Sequence, residues 1–81
     1  MSVRSTIIAQ FEIVGKEKKL NLAPLTDDLV LLESGLDSLS FAIIVARLED
    51  ELGLDPFGVD EDIEIPVTFG DFVRIYEAHA A

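Results

Sequence analysis

The stretch from Ser38 to Leu52 is apolar around most of a helical circumference. Phe41, Val45, Leu48 and Leu52, with Ile44 beside them, make one wide stripe at helical spacing. Leu39, Ala42, Ile43 and Ala46 make a second, adjacent stripe that runs back to the start of the segment. Asp37 is a good N-cap and Gly53 a good stop, so the segment predicts a helix. A helix apolar over so much of its girth is either deeply buried or keeps one face for another purpose.

The flanking blocks read as helices too. From Ser2 to about Lys19, Val3, Ile7, Phe11 and Val14 fall on one stripe, with Arg4, Gln10, Glu12 and Lys18 elsewhere on the circumference. Ile8 and Ile13 widen the stripe, and Gly15 leaves the last turn open. Lys16, Lys18 and Lys19 sit at its end, where cations suit the helix dipole. Thr68 and Asp71 form a capping-box-like start, Asp standing in for the usual Glu or Gln. The helix they open carries Phe69, Phe72, Val73, Tyr76 and Ala80. Between the first two helices, Leu20 to Asp37 is too rich in leucine for a solvated linker. It is expected to cross the helices with its leucines turned inward and a short turn near Asp28 to Leu32. Asp55 to Pro66 is acidic and irregular, with room for one helical turn around Asp60 to Ile63. No strand-period alternation appears. The prediction is an all-α single domain over 1–81: a small four-helix bundle, three longer helices and one short, with a long loop between helices 1 and 2.

Composition narrows the function. The chain has 81 residues and no cysteine, so no disulfide or zinc-thiolate site can staple it, and an apolar core must hold it together. Its apolar fraction of 49% argues against disorder. Six Lys and Arg against sixteen Asp and Glu give a formal charge of −10. Such a surface repels phosphate backbones and anionic lipid, so the expected partners include no nucleic acid and no membrane. No apolar run approaches a transmembrane span, and the polar start is not a signal peptide. The chain is expected to be a cytoplasmic monomer.

Catalytic inventory is thin. The single histidine, His79, lies near a terminus, which leaves little for a base-assisted nucleophile. Gly35-Leu36-Asp37-Ser38-Leu39-Ser40 is not a nucleophile elbow, since the serine lacks both flanking glycines and no strand precedes it. The many carboxylates read as a solvated acidic surface. Asp55, Asp60, Asp62 and Glu64 cluster, but Ile63-Glu64-Ile65-Pro66 breaks the alternation that a calcium loop needs, so no metal site is expected.

Ser38 stands out by position. It opens the doubly apolar helix, where free backbone N–H groups and the positive dipole end favour an attached anion. By position alone it reads first as an ordinary first-turn serine favoured by capping. The stretch Gly35-Leu36-Asp37-Ser38-Leu39 resembles the attachment motif of the acyl carrier protein and peptidyl carrier protein superfamily. The upstream Leu25-x-Asp27-Asp28-x-x-Leu31 spacing, the acidic balance, the chain length and Thr68-Phe69-Gly70-Asp71-Phe72 resemble that superfamily as well. The resemblance implies that Ser38 carries 4′-phosphopantetheine, attached covalently from coenzyme A by a phosphopantetheinyl transferase, and that Asp37 helps the transferase engage. It also implies an up-down bundle whose third helix is short. A carrier needs one hydroxyl and no catalytic base, and the arm brings its own thiol, so the lack of cysteine removes a competing nucleophile.

Leu39, Ala42, Ile43 and Ala46, flanked by Glu49 and Asp50, are expected to form the docking face for partner enzymes; Ala42 and Ala46 fit a core equally well. Carriers of fatty-acid synthesis usually show several acidic residues just after the serine. Here Ser40, Phe41 and Ile43 stand there, and Arg47 adds a positive charge. Gly53-Leu54-Asp55-Pro56-Phe57 resembles stand-alone carriers that work beside an adenylate-forming ligase in specialised pathways. Expected partners are therefore an acyl- or aminoacyl-adenylating ligase and acyltransferase or synthase enzymes of fatty acid, polyketide or nonribosomal peptide biosynthesis. The absence of linker-like tails favours a discrete carrier. Val3, Ile7, Phe11, Val45, Leu48, Leu52, Phe69, Phe72 and Tyr76 are expected to fill a core or line a cargo cavity. The alternative from another class is an unmodified acidic helical adaptor that binds a basic protein partner.

Overall fold

The computed structural model describes residues 2–59 and 65–80. Over these the chain forms α1 (Val3–Glu17), a single 3-10 turn (Leu31–Glu33), α2 (Ser38–Leu52), the short α3 (Pro56–Val59) and α4 (Phe69–Ala80). The all-α expectation holds, with three longer helices, one short helix and a long α1–α2 loop. The helical turn predicted around Asp60 to Ile63 lies outside the described residues.

Each long helix begins where a side chain takes an orphan N–H. Ser2 accepts from the Ser5 amide at 3.1 Å at the start of α1, and Asp37 from the Ser40 amide at 2.7 Å at the start of α2. At α4 the capping box is reciprocal: the Asp71 amide donates to Thr68 Oγ1 at 3.1 Å, and the Thr68 amide to Asp71 Oδ2 at 3.2 Å. Gly53 ends α2 in the left-handed conformation, φ 68°, its amide on the Glu49 carbonyl. α1 closes in the same style without a glycine. The Lys19 amide bonds Lys16 O and the Leu20 amide bonds Gly15 O, the paired bonds of a Schellman motif, with Lys19 at φ 56°. Gly15 does not break the helix. It is buried under Leu22, and a methyl group there would have to push the Leu22 side chain aside.

The core joins Ile7, Phe11 and Val14 of α1, Leu31 of the turn, Ile44 and Leu48 of α2, and Phe69, Phe72, Val73 and Tyr76 of α4. Phe72 is its hub. Its ring centroid lies 5.7 Å from Phe11, 5.2 Å from Phe41 and 5.0 Å from Tyr76. Ile44 and Leu48 therefore form the deep line of α2, while Phe41, Val45 and Leu52 pack at its margins.

Three sequence expectations need correction. Gln10, assigned to the outer circumference of α1, is buried and accepts a 2.8 Å bond from Arg47 Nε. Arg47 is consequently turned across onto α1, where it also lies 3.6 Å from Glu17, and adds no charge to the docking face. The α1–α2 loop does turn most of its leucines inward, but Leu32 is 93% exposed. The 3-10 turn sends Leu31 into the core, and its neighbour must then point away.

Candidate functional site

The loop that precedes α2 is tied to the start of α4. Val30 and Thr68 form an antiparallel bridge, with the Leu31 amide on Val67 O at 2.9 Å and the Phe69 amide on Leu29 O at 2.8 Å. The Gly70 amide reaches Asp27 O at 3.1 Å, and Arg4 holds the Asp27 carboxylate at 2.6 Å. These bonds bring the turn, the 65–67 segment and the first turn of α2 together around one hollow of about 580 Å³. It is lined by apolar side chains, among them Leu31, Leu36, Phe41 and Val67, and at its lip by Asp37 and Ser38. A second hollow, about 460 Å³, lies beyond the 65–67 segment against α4, and Ser38 does not line it.

Ser38 is exposed at the lip. Asp37 precedes it in extended conformation, ψ 173°, its carboxylate spent on the Ser40 amide. That backbone hydrogen bond holds the Asp37 carboxyl below its ordinary range; the Ser40 hydroxyl adds to the effect without reaching hydrogen-bonding geometry, and the charge of Lys18 lends a smaller contribution. The Asp37 cap is thus formed at neutral pH, and Ser38 is left free of the capping role that its position alone would have allowed.

Ser34 is a residue that the sequence reading missed. It is buried, donates from Oγ to Leu31 O at 2.6 Å and accepts from the Leu36 amide at 3.3 Å, so it fixes the bend leading to Asp37. A serine three residues after Leu31 was the available signal, and only the phase of the 3-10 turn gives it meaning.

The six residues of the expected docking face do not share one environment. Leu39 is 65% exposed, and Ala42, Ala46, Glu49 and Asp50 are exposed as well. Ile43 is half-buried and packs against the core. The two alanines are therefore surface residues rather than core. Leu32, Ile65 and Val67, which are also exposed, line the hollow beside Ser38, whereas Leu39 does not. The nine residues considered for an internal cargo cavity are packed against one another, and none of them lines this hollow. Space for an apolar ligand lies beside the serine.

Among the described residues no cluster of three His, Cys, Asp or Glu side chains is placed to hold a metal ion. Asp60, Asp62 and Glu64 lie outside them. No helix of the described chain is long and apolar enough to cross a membrane.

Residues 11–69 match the family model described as "Phosphopantetheine attachment site". Over 43 residues, 53% of the chain, the sequence is 49% identical to polyketide synthase 2 of Metarhizium anisopliae and, to the same extent, to that of Metarhizium robertsii. Over 54 residues, 67% of the chain, it is 37% identical to the non-reducing polyketide synthase CTB1 of Cercospora nicotianae. Each match spans 2% of the relative's length. No solved structure matches the chain.

Proposed function

The chain belongs to the phosphopantetheine-attachment family, and on that premise we propose that Ser38 is the residue that carries the arm. The observation that carries this reading is the placement of an exposed serine, free of any capping duty, at the lip of an apolar hollow. The residues present fit the group. Ser38 Oγ is open to the transferase, and Leu36, Phe41 and Val67 offer apolar surface along the path of an arm. In loading, the bond from Ser38 Oγ to phosphorus forms and the diphosphate of coenzyme A breaks. Adenosine 3′,5′-bisphosphate leaves, and the hydroxyl proton passes to a base of the transferase. Once attached, 4′-phosphopantetheine supplies the thiol that holds cargo. The chain's own work is to present it, which raises the cargo's effective concentration at each enzyme it visits.

The hollow is apolar, which supports an acyl cargo over a polar aminoacyl one. The polyketide synthase relatives support a ketide-type chain and synthase or acyltransferase partners. Loading by an adenylate-forming ligase rests on Gly53-Leu54-Asp55-Pro56-Phe57 and belongs to the same reading. Domain 1–81 acts here as one cytoplasmic, monomeric carrier unit. The test is incubation with coenzyme A and a broad-specificity phosphopantetheinyl transferase, followed by intact mass. A gain of one pantetheine phosphate in the wild type, absent in Ser38→Ala, is the expected result. No gain under conditions that load a control carrier would overturn the assignment and favour an unmodified acidic adaptor.

A further inference from the structure

Ser38 and Phe41 stand three residues apart at the start of α2, which puts them on one side of the helix, and both line the hollow of about 580 Å³. The walls of that hollow are unlike. Its outer side is made by Leu32, Ile65 and Val67, which are exposed. Its inner side is made by the buried Leu31 and the half-buried Phe41. The Phe41 ring meets Phe72 edge-on, with centroids 5.2 Å apart and planes at 64°. Phe72 is fully buried and does not line the hollow. Tyr76 and Phe57 pack against it in turn, at 5.0 and 6.0 Å between centroids. One aromatic ring thus stands between the hollow and the hub of the core.

That placement decides how far an attached chain can go. A group carried by Ser38 is tethered at the lip, so its effective concentration at the hollow is high even where each contact is weak. The volume suits one small apolar ligand, for which sites of about 300–1,000 Å³ are usual. Each methylene that enters leaves water, and the gain continues only while there is space to enter. At Phe41 the space ends, because moving the ring would break its packing on Phe72 and open a void in the core.

We propose that Phe41 sets the length of acyl chain this carrier shelters: its ring closes the hollow beside Ser38 against the core. Cargo is covered up to the depth of the hollow, and any longer chain projects into solvent or into a partner enzyme. The inference rests on Ser38 carrying the arm and on the acyl cargo proposed above. Phe41 is a specificity residue in this sense and takes no part in attaching the arm.

The test loads wild type, Phe41→Ala and Phe41→Trp from acetyl-, butanoyl-, octanoyl- and dodecanoyl-coenzyme A with a broad-specificity transferase, intact mass confirming each product. Methyl resonances of Leu31 and Val67 report on the hollow, and ring resonances of Phe72 and Tyr76 on the core behind Phe41. Each is read as the shift from the same variant carrying the bare arm. In wild type the Leu31 and Val67 shifts should grow with chain length and then level off, while Phe72 and Tyr76 stay unmoved. In Phe41→Ala the growth should continue to longer chains, and the Phe72 and Tyr76 rings should move. Phe41→Trp fills the hollow instead, so its shifts should level off at a shorter chain than in wild type. This variant carries the test if Phe41→Ala loses cooperative unfolding. Movement of Phe72 in wild type, shifts that never level off, or a wild-type profile in either folded variant overturns the proposal. Full loading with no movement of Leu31 or Val67 overturns it too, and leaves the Ser38 assignment intact. No gain of mass overturns that assignment and the inference together.

Discussion

Replacing Lys19 with glycine is expected to give a more stable fold than replacing it with glutamine. The left-handed region costs a side-chain-bearing residue about 1–2 kcal/mol, because Cβ crowds the following carbonyl. Lys19 sits there at φ 56°, held by its own bond to Lys16 O and by the Leu20 bond to Gly15 O. Glycine relieves that strain but has more freedom to lose from the unfolded chain, about 0.5–1 kcal/mol. The net gain is about 0.5–1 kcal/mol, a rise in Tm of roughly 2–8 °C for a domain of this size. The substitution also deletes a cation near a helix C-terminus, an effect of about 0.3–1 kcal/mol in the opposite sense. Lys19→Gln makes the same charge change while keeping the strain, so the comparison is Gly against Gln. Thermal and urea unfolding of the two variants reads the difference directly, and Lys19→Asn should fall between them. If Lys19→Gly is no more stable than Lys19→Gln, the Schellman closure does not carry the strain assigned to it.

Tyr76 gives an alkaline signature. Burial, with smaller contributions from Asp55 and Glu49, pushes its phenol from 10.0 up to about 12. A folded-state value above the unfolded one leaves stability intact below pH 10 and loses it as pH rises toward 12, by about 2–3 kcal/mol in total. Because its hydroxyl makes no hydrogen bond, Tyr76→Phe should be neutral or slightly stabilising at pH 7 and should lose this part of the alkaline decline; an unchanged decline would refute the assignment. At Gly70 a methyl group would lie 2.9 Å from Asp27 O, so Gly70→Ala should lower stability by about 1–3 kcal/mol in urea; wild-type stability would mean that the loop-to-α4 tie yields without cost. Docking is better probed at Leu39 than at Ile43, since Ile43→Glu would place a charge against the core. Leu39→Ser should keep stability within about 0.5 kcal/mol and lower kcat/KM for loading by a broad-specificity transferase, whereas unchanged loading would remove Leu39 from the docking surface.

What the sequence disclosed follows the range of each interaction. The bounds of α2 were legible because Asp37 and Gly53 act within one turn of the ends they mark. The Thr68 and Asp71 box was legible for the same reason. Gln10 was not, since its burial depends on Arg47, 37 positions away, and neither residue type signals a buried pair. Leu32 was misplaced because a run of leucines does not say which of them a 3-10 turn will direct inward. The hollow beside Ser38 was not foreseen. Its walls come from residues 30–32 and 65–67, joined by a bridge that no local pattern announces.

Gly35 shows how much of the attachment motif is architecture. Its φ of 101° lies where side-chain-bearing residues are strained, and a Cβ there would sit 2.7 Å from Asn21 O. The next bonds along the chain need that bend: Ser34 Oγ to Leu31 O and the Leu36 amide to Ser34 Oγ close it, and the Asp37 carboxylate then meets the Ser40 amide. Remove the glycine and Ser38 has no fixed lip to stand on, although no atom of Gly35 is near enough to chemistry to take part in it. Glycine, Asp37 and the buried Ser34 thus act in series on backbone direction. The exposed serine is left without a structural duty, and freedom from such duty is what a hydroxyl needs if another enzyme is to esterify it.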